Sequence, residues 1–391
     1  MTLKILRIIS SLNPEGGGPS EGIRQITPHL SRLGVASTVA SLDPPSSACL
    51  RDQSFKAVGL GPVFSGYGYC RNLPDRILSL ASEHDVVIVH GLWQYHAFAT
   101  WRALRCSGIP YFVYTHGMLD PWFKITYPLK HLKKWAYWPW ADYRVLRDAS
   151  AVLFTTEQER LRARQSFWLY QANEQVVSYG TSAPPADAES QRQAFFERFQ
   201  HLRDQRILLF LSRIHPKKGL DLLIDAFASV AGSDPRLHLM IAGPDQVGWQ
   251  ATLQQRASEL GIAERITWPG MLSGELKWGA FRCAELFCLP SHQENFGIVV
   301  AEALACGLPV AIAKPVNVST DVANAGAGIV FDDETLATER ALKQWLAMTP
   351  SDKSEMAKCG QQLFYDRFDF ESVAKNLLPV LEAAVQPRLI R

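Results

Sequence analysis

Short apolar runs alternate with longer stretches of mixed polarity along almost the whole chain. Uninterrupted apolar runs bounded by turn residues are typical of buried strands, and the stretches between them have the spacing of helices. Strands that alternate with helices predict parallel α/β sheets. The expected strands lie near 3–9, 36–41, 86–90, 110–115, 151–155, 175–179, 206–212, 237–242, 265–268, 285–289, 309–313 and 328–331, and the expected helices near 20–33, 94–106, 157–166, 219–231, 249–260, 298–306 and 334–347.

The alternation breaks over 180–186, where adjacent prolines and small residues predict a linker. The predicted fold class is therefore α/β, with two doubly wound, Rossmann-like parallel sheets. Such sheets bind ligands outside the carboxyl ends of their strands, which predicts a site in a cleft between the domains. The expected bounds are 1–180 for the first domain, 181–190 for the linker, 191–365 for the second domain and 366–391 for a C-terminal helix that packs back on the first domain.

Composition supports two packed domains and narrows the class of protein. The chain has 391 residues, of which 47% are apolar and 20% are charged. A net charge of +2 argues against a general nucleic-acid binder. Seven cysteines without a C-x2-C pair are typical of reduced thiols, which predicts a cytoplasmic protein.

Three segments bear on contact with membranes. Arg7 interrupts the apolar run over 1–9, which favours a first strand over a signal peptide. The apolar stretch from Ile298 to Ala313 contains Glu302 and is not expected to span a bilayer. The segment 130–140 mixes lysines with aromatic residues. That mixture suits either peripheral contact with an anionic membrane face or a core-packing helix whose lysines reach solvent.

Two glutamates eight positions apart stand beside a strand end. Glu294 lies on an Asn-Phe-Gly turn after the strand near 285–289, and Glu302 lies inside the helix that follows. Bare amides at a helix start favour an anion, whereas a carboxylate just before them repels one, so Glu294 is expected to serve neutral hydroxyl groups. The pair predicts a ligand with phosphates and hydroxyls, such as a sugar nucleotide.

A basic turn follows the first strand of the second domain. Arg213 and Lys218 come directly after that buried strand. Arginine can donate two parallel hydrogen bonds to phosphate oxygens, and lysine can place a compact positive charge beside them. The turn therefore predicts phosphate binding. A solvated basic loop is the alternative.

Other strand ends carry weaker indications. The loop that contains Gly16, Gly17 and Gly18 precedes a helix, but it matches neither the dinucleotide nor the P-loop fingerprint, so close approach to a ligand and a flexible turn both stay open. His90 and His116 each end a strand in His-Gly. A functional role is favoured for His116 and stays open for His90. The turns at Gly243 and Met271 suit either a nucleobase or an ordinary β–α connection.

Several strings in the chain are similar to those of a known family. They are Ser212-Arg213-Ile214-His215-Pro216-Lys217-Lys218-Gly219-Leu220-Asp221, Ala242-Gly243-Pro244-Asp245, and the E-x7-E run from Glu294 to Glu302. The chain resembles the retaining glycosyltransferases of family 4, which have the GT-B fold. The string from His116 to Trp122 is similar to members that build bacterial exopolysaccharides, and Thr155-Thr156-Glu157-Gln158-Glu159 also resembles a family motif.

The resemblance implies transfer of a sugar from a nucleoside-diphosphate sugar to a glycan or lipid-linked acceptor. UDP-glucose is the first expected donor, from its frequency in the family. The partners would be the UDP-sugar, the acceptor and, peripherally, the inner membrane surface, with no nucleic acid. A sugar-nucleotide epimerase with the same fold and a non-catalytic two-lobed binding protein are the alternatives.

The resemblance also assigns roles to residues. The first domain would hold the acceptor and the second the donor. Arg213 and Lys218 would hold the leaving diphosphate, Glu294 the donor-sugar hydroxyls and Glu302 the ribose. The implied catalytic residues are His116, Glu294, Arg213 and Lys218. The implied donor-binding residues are Gly16, Gly17, Arg213, Lys218, Gly243, Met271, Glu294, Phe296, Gly297, Ile298, Val299 and Glu302, with Gly16 and Gly17 toward the acceptor side. The implied acceptor-side residues are Gly18, His90 and Asp120.

Two further points concern metals and the end of the first domain. No metal or other cofactor is expected, because Arg213 and Lys218 can supply the positive charge and no metal-binding carboxylate cluster is evident. The family commonly ends its first domain in Pro-Asn-Gly-Val-Asp, whereas this chain has Tyr179-Gly180-Thr181-Ser182. The contacts of that segment are therefore expected to differ.

Overall fold

The structure is a computed structural model that describes residues 2–13, 18–51 and 53–385. The chain divides into two compact units, of which the first contains Met1–Thr181 and Phe370–Arg391 and the second contains Ser182–Asp369. Gly16 and Gly17 lie outside the described residues. Each unit is built on one parallel sheet.

The sheet of the first unit has the strand order β3-β2-β1-β4-β5-β6-β7 over the described residues, and every neighbouring pair is parallel. The chain order reverses between β1 and β4, so a ligand is expected at the carboxyl ends of these two strands. The strands are β1 Leu3–Ile9, β2 Val35–Ser41, β3 Lys56–Gly59, β4 Val86–His90, β5 Tyr111–Tyr114, β6 Ala151–Phe154 and β7 Glu174–Val176.

The sheet of the second unit has the described order β10-β9-β8-β11-β12-β13, again parallel throughout. Its chain order reverses between β8 and β11, which places the expected ligand site at the carboxyl ends of those strands. The strands are β8 Arg206–Leu211, β9 Leu237–Ala242, β10 Ile266–Gly270, β11 Leu286–Leu289, β12 Val310–Ala313 and β13 Gly328–Phe331.

Helices connect the strands, and both faces of the first sheet are buried. Ile8 and Val89 belong to one apolar cluster, whereas Ile5 and Ile88 belong to another on the opposite face. The helices are α1 Gly18–Arg32, α2 Leu73–Ala81, α3 Tyr95–Leu104, α4 Trp122–Thr126, α5 Pro128–Tyr137, α6 Asp142–Arg147, α7 Glu157–Ala163, α8 Ala188–Arg198, α9 Leu220–Ala231, α10 Gln250–Glu259, α11 Gly274–Cys283, α12 Ile298–Ala305, α13 Ser319–Asn324, α14 Thr335–Ala347, α15 Pro350–Leu363 and α16 Phe370–Val385.

The two ends of the second unit differ from the expected bounds. Helix α8 begins inside the predicted linker and packs on α11, where a Cβ on Gly279 would lie 2.3 Å from the carbonyl oxygen of Gln191. The missing side chain lets the two helices approach closely, and α8 therefore forms part of this unit. The last helix begins at Phe370 rather than at 366 and contributes Val373 and Leu377 to the core of the first unit.

None of the helices described in residues 2–13, 18–51 and 53–385 is both long enough and apolar enough to cross a membrane.

Candidate functional site

The ion pair between Lys218 and Glu294 lies at the point of strand-order reversal in the second unit. Lys218 ends the turn after β8, and Glu294 lies on the turn after β11. The ammonium of Lys218 donates to the Glu294 carboxylate, and the side chains are only 5% and 21% exposed. The structure therefore brings together a cation predicted for phosphate and a carboxylate predicted for hydroxyls.

Backbone contacts fix the two turns against each other. The amide of His292 donates to the carbonyl of Lys217 over 2.9 Å. A Cβ on Gly219 would lie 2.1 Å from the carbonyl oxygen of Pro290, so only glycine allows this approach, and its φ of 65° also favours glycine. The distance between the turns is thus set by main-chain packing.

Burial and charge act in opposite directions on Glu294. Burial by itself would raise the pKa of its carboxyl, but the charge and hydrogen bond of Lys218 outweigh that effect, with smaller contributions from Lys217 and Arg213. The pKa is therefore lowered, and Glu294 is ionised at neutral pH. An ionised carboxylate accepts hydrogen bonds and donates none, so it can accept from the O–H donors of a ligand.

Arg213 is the exposed cation of this site. Its Nη1 donates to the Gln246 side chain over 2.9 Å. The neighbouring His215 caps the basic turn, because its Nδ1 accepts from the amide of Lys217 over 3.1 Å. Burial and the adjacent charges of Arg213, Lys217 and Lys218 lower the pKa of His215, so this ring adds no charge at neutral pH.

Helix α12 begins directly after a glycine, Gly297, whose lack of a side chain leaves the first amides of the helix uncovered. Gly297 has a φ of 77°, and no side chain caps this helix within the part of the chain that the structure describes. Ile298 and Val299 are half-buried on its first turn, so their amides are candidate donors to an anion. The side chain of Phe296, in contrast, is buried against Phe368 at a ring distance of 5.3 Å, which leaves only its backbone for a ligand.

Glu302 has a partner that the sequence did not indicate. Lys277, on α11, donates to its Oε1 over 2.6 Å, and the glutamate side chain is only 6% exposed. Lys277 lies on a helix and not at a strand end, so the argument from strand ends passed over it. The pair sets the orientation of the Glu302 carboxylate.

The turns predicted for a nucleobase lie side by side. The amide of Gly243 donates to the carbonyl of Gly270 over 2.8 Å, and Met271, next in the chain, is 74% exposed. A Cβ on Gly243 would lie 1.8 Å from the carbonyl oxygen of Ser212. Asp245 is used locally, because it accepts from the amides of residues 247, 249 and 250 at the start of α10.

In the first unit, the two predicted histidines are neighbours. Nδ1 of His90 and Nε2 of His116 are 3.1 Å apart, and their rings stack at 5.3 Å. Burial lowers the pKa of His116 to about 4. Burial lowers that of His90 well below its usual value, with added effects from His116, Arg7 and His96. Both imidazoles are therefore neutral at neutral pH.

Glu159 holds the turn that carries His116. Its buried carboxylate accepts from the Thr115 hydroxyl and the Gly117 amide on one oxygen, and from the amide and hydroxyl of Thr155 on the other, over 2.6–2.7 Å. His116 and Gly117 have φ values of 49° and 72°, a conformation that a non-glycine residue rarely adopts. The family-like string around Thr155 thus has a structural reason, which the sequence argument did not supply.

Arg7 and Tyr179 are two further residues beside the histidines. Arg7 is 2% exposed on β1, and burial lowers its pKa to about 10, so it stays charged at neutral pH. Tyr179, which replaces the usual family segment, lies edge-on to His116 at 5.9 Å and donates to the carbonyl of Gly18 over 2.9 Å. An arginine inside an apolar strand was the sequence feature that could have pointed to Arg7.

Asp120 has structural partners. Its Oδ1 accepts from the amide of Trp122 over 2.9 Å, and its Oδ2 lies 3.5 Å from Arg162 of α7. These contacts fix the start of α4. The acceptor-side role of Asp120 stays a prediction, as do those of His90 and Gly18.

Comparison with solved structures identifies the fold. The chain is similar to sucrose-phosphate synthase from Thermosynechococcus elongatus, with a TM-score of 0.76 and 18% identity over 98% of this chain and 100% of the other. It is also similar to Anabaena HepE in complex with UDP, with a TM-score of 0.78 and 19% identity over 97% and 100%. Two doubly wound parallel units of this kind define the GT-B fold, and the prediction of that fold is confirmed.

Comparison of sequences identifies the family. A model described as "Glycosyl transferases group 1" matches residues 191–362, and one described as "Glycosyl transferase 4-like domain" matches residues 17–180. The chain belongs to the glycosyltransferases of the family-4 type.

Curated relatives agree with this class over part of their length. A D-inositol 3-phosphate glycosyltransferase from Segniliparus rotundus is 31% identical over 185 residues, which are 46% of this chain and 41% of that protein. The enzyme of the same name from Thermomonospora curvata is 35% identical over 162 residues, or 40% and 38%. The chain thus spans about two fifths of the length of these relatives.

Proposed function

We propose that this chain transfers a sugar, with retention of anomeric configuration, from a nucleoside-diphosphate sugar to a glycan or lipid-linked acceptor in polysaccharide biosynthesis. The observation that carries the proposal is the largely buried pair of Lys218 and Glu294 beside the bare start of α12. UDP-glucose is the first donor to test, and the UDP-glucose complex of Anabaena HepE, which shares the fold, supports that choice.

The proposed donor separates the ion pair. Lys218 turns from Glu294 to the diphosphate, and the ionised Glu294 accepts hydrogen bonds from two sugar hydroxyls. Arg213 offers a second cation from the same turn. As the bond between sugar and phosphate breaks, negative charge grows on the diphosphate, and the two cations stabilise it. The acceptor hydroxyl forms the new bond on the same face, and its proton passes to the departing phosphate oxygen.

We expect Arg213→Ala to weaken UDP binding by about 1.5–3 kcal/mol, the value of a charge-assisted hydrogen bond. Isothermal titration of the wild type and the variant with UDP, GDP and ADP measures this loss. Arg236→Ala is the matched control, because Arg236 is 64% exposed and lies at the opposite, amino-terminal end of β9. Unchanged affinity in the Arg213 variant would exclude this residue from the site. Binding of GDP or ADP in place of UDP would keep the transferase and reject the donor.

Glu302→Ala tests the proposed ribose contact. The wild type is expected to bind UDP more tightly than 2′,3′-dideoxy-UDP by about 1.5–3 kcal/mol, because a carboxylate that accepts from ribose hydroxyls loses both of them. The variant should bind both ligands equally and weakly. Glu339→Ala removes a half-buried glutamate that also pairs with a lysine, Lys343, and should keep the wild-type difference. If the Glu302 variant still prefers UDP, the ribose lies elsewhere.

The acceptor and the alternatives need separate assays. The curated relatives are named D-inositol 3-phosphate glycosyltransferases, so a phosphorylated cyclitol belongs in the acceptor screen beside glycans and lipid-linked sugars. Product analysis without acceptor distinguishes an epimerase, which changes the donor sugar itself. Tight binding of the sugar nucleotide with no product from any acceptor would instead favour the non-catalytic binding protein.

A further inference from the structure

Helix α5 and the residue that follows it, Trp138, carry aromatic side chains on an inner face, and α5 carries leucines on an outer face. On the inner face, His131, Trp135 and Trp138 pack on Phe167 with ring centroids 4.7, 5.3 and 4.2 Å apart. On the outer face, Leu129 and Leu132 are 83% and 67% exposed. A helix that is apolar on the side away from its own core exposes to water a surface that normally has a partner.

Neighbouring residues extend this outer face. Trp140 follows Leu129 and Leu132 at spacings that continue along one side of a helical path, and it is 67% exposed. Ile125, on α4, and Trp168 are each 80% exposed, and Trp168 stacks on Trp135 of α5 at 5.7 Å. We name the surface formed by Ile125, Leu129, Leu132, Trp140 and Trp168 the apolar ridge.

Positive charge accompanies the apolar ridge. The segment 121–141 contains four lysines and neither aspartate nor glutamate. Lys124, Lys130 and Lys133 are exposed. The two acidic residues that flank the segment, Asp120 and Asp142, are buried and add little negative charge to this surface. The surface is therefore both cationic and apolar.

A small, mostly apolar cavity lies between α4 and α5 beside these lysines. It is lined by Lys130, Lys134 and His131, together with the rings of Phe123 and Tyr127. The Nζ of Lys134 lies 4.2 Å from the ring centroid of Trp93, and the Nζ of Lys130 lies 4.9 Å from that of Tyr127. Nε2 of His131 is buried and has no hydrogen-bond partner among the described residues.

We propose that the apolar ridge and its lysines dock the first unit on a bilayer that contains anionic lipids. The aliphatic side chains would enter the boundary between headgroups and acyl chains, the tryptophans would lie at headgroup level, and the lysines would contact lipid phosphates. The five side chains of the apolar ridge are 67–83% exposed, and a bilayer accommodates exposed apolar side chains in any arrangement. An acidic protein would need a matching series of pockets.

Vesicle flotation of the purified full chain tests this proposal without any sugar donor. The wild type should float with vesicles of phosphatidylcholine and phosphatidylglycerol, should not float with phosphatidylcholine alone, and should dissociate as salt is raised. Replacing three aliphatic residues, Ile125→Ser, Leu129→Ser and Leu132→Ser together, should weaken partitioning at least about tenfold. Replacing Lys124, Lys130 and Lys133 by glutamine should weaken it on the order of a hundredfold.

The matched control replaces exposed leucines on the second unit, Leu260→Ser and Leu336→Ser, whose residues are 43% and 66% exposed. This variant should float as the wild type does. A wild-type chain that stays with the lipid-free fraction overturns the proposal, and so does a serine variant of the ridge that floats normally. A third outcome would also overturn the proposal. In it, the wild type self-associates in sedimentation, the serine variant of the apolar ridge is monomeric, and neither protein binds vesicles. The apolar ridge would then join two copies of the chain rather than dock on a membrane.

Discussion

Lys218→Ala is expected to destabilise the second unit by about 3 kcal/mol near neutral pH. Breaking a buried ion pair leaves the other charge uncompensated, and the lower end of the usual range applies because Glu294 keeps 21% exposure. Urea unfolding measures the loss, and UDP affinity should fall by about 1.5–3 kcal/mol in parallel. Lys217→Ala is the adjacent control and should cost less, since Lys217 contributes less than Lys218 to the lowered pKa of Glu294.

The pH dependence of that loss separates charge from packing. In the wild type the pKa of Glu294 is lowered, so its ionised form adds stability above about pH 4.3 and that contribution fades as pH falls through the folded pKa. Without Lys218, burial dominates and the pKa is expected to rise above its unfolded value. Stability from Glu294 is then present at acid pH and lost as pH rises. The deficit should therefore shrink on acidification.

The double variant Lys218→Ala with Glu294→Gln should recover much of the neutral-pH loss, because the amide carries no charge to bury. A deficit that is the same at acid and neutral pH, and is not relieved by the second substitution, would mean that Lys218 contributes through packing alone.

The second large effect is expected for Glu159→Ala in the first unit. This carboxylate accepts from two backbone amides, those of Gly117 and Thr155, and from two hydroxyls. Each orphaned buried donor costs about 1–3 kcal/mol, so the loss should be about 3–5 kcal/mol after the hydroxyls find other acceptors. Urea unfolding followed by tryptophan fluorescence measures it, since Trp101 and Trp138 lie in the core of this unit.

A histidine titration by NMR shows whether the effect reaches His116. When the turn loosens and water enters, the pKa of His116 should rise from about 4 toward its ordinary value, because burial is the cause of its low value. Glu157→Ala, an exposed residue two positions earlier that pairs with Arg160, should change neither stability nor the titration appreciably. A Glu159 variant with wild-type stability would show that the four hydrogen bonds contribute little.

The core strands could be predicted to within a residue or two because parallel strands are apolar on both faces. The run from Val86 to Val89 is an example, with each residue fully buried. The edge strand β3 was missed, since Lys56-Ala57-Val58-Gly59 is short, partly exposed and contains a glycine. The short helices α4 and α6 were also missed, because five or six residues are too few to show helical periodicity.

The candidate site was only partly predictable for a different reason. Strand order at a reversal point places the ends of β8 and β11 together, so Arg213, Lys218 and Glu294 could be grouped from the sequence. Which charges pair could not be predicted, because the contact between Lys218 and Glu294 joins residues 76 positions apart. Lys277 and Glu159 were missed because each lies on a helix, away from the strand ends, and acts through a partner on another element.

The pairing of Lys218 with Glu294 has a consequence for competition among cellular anions. A cation that already holds a carboxylate offers little to free phosphate, which would have to displace Glu294 and leave it buried without a counter-charge. Under the proposed function, a nucleoside-diphosphate sugar satisfies both members of the pair, because its diphosphate takes the place of Glu294 on Lys218 while its sugar hydroxyls donate to Glu294, so the resting site disfavours a free phosphate ion.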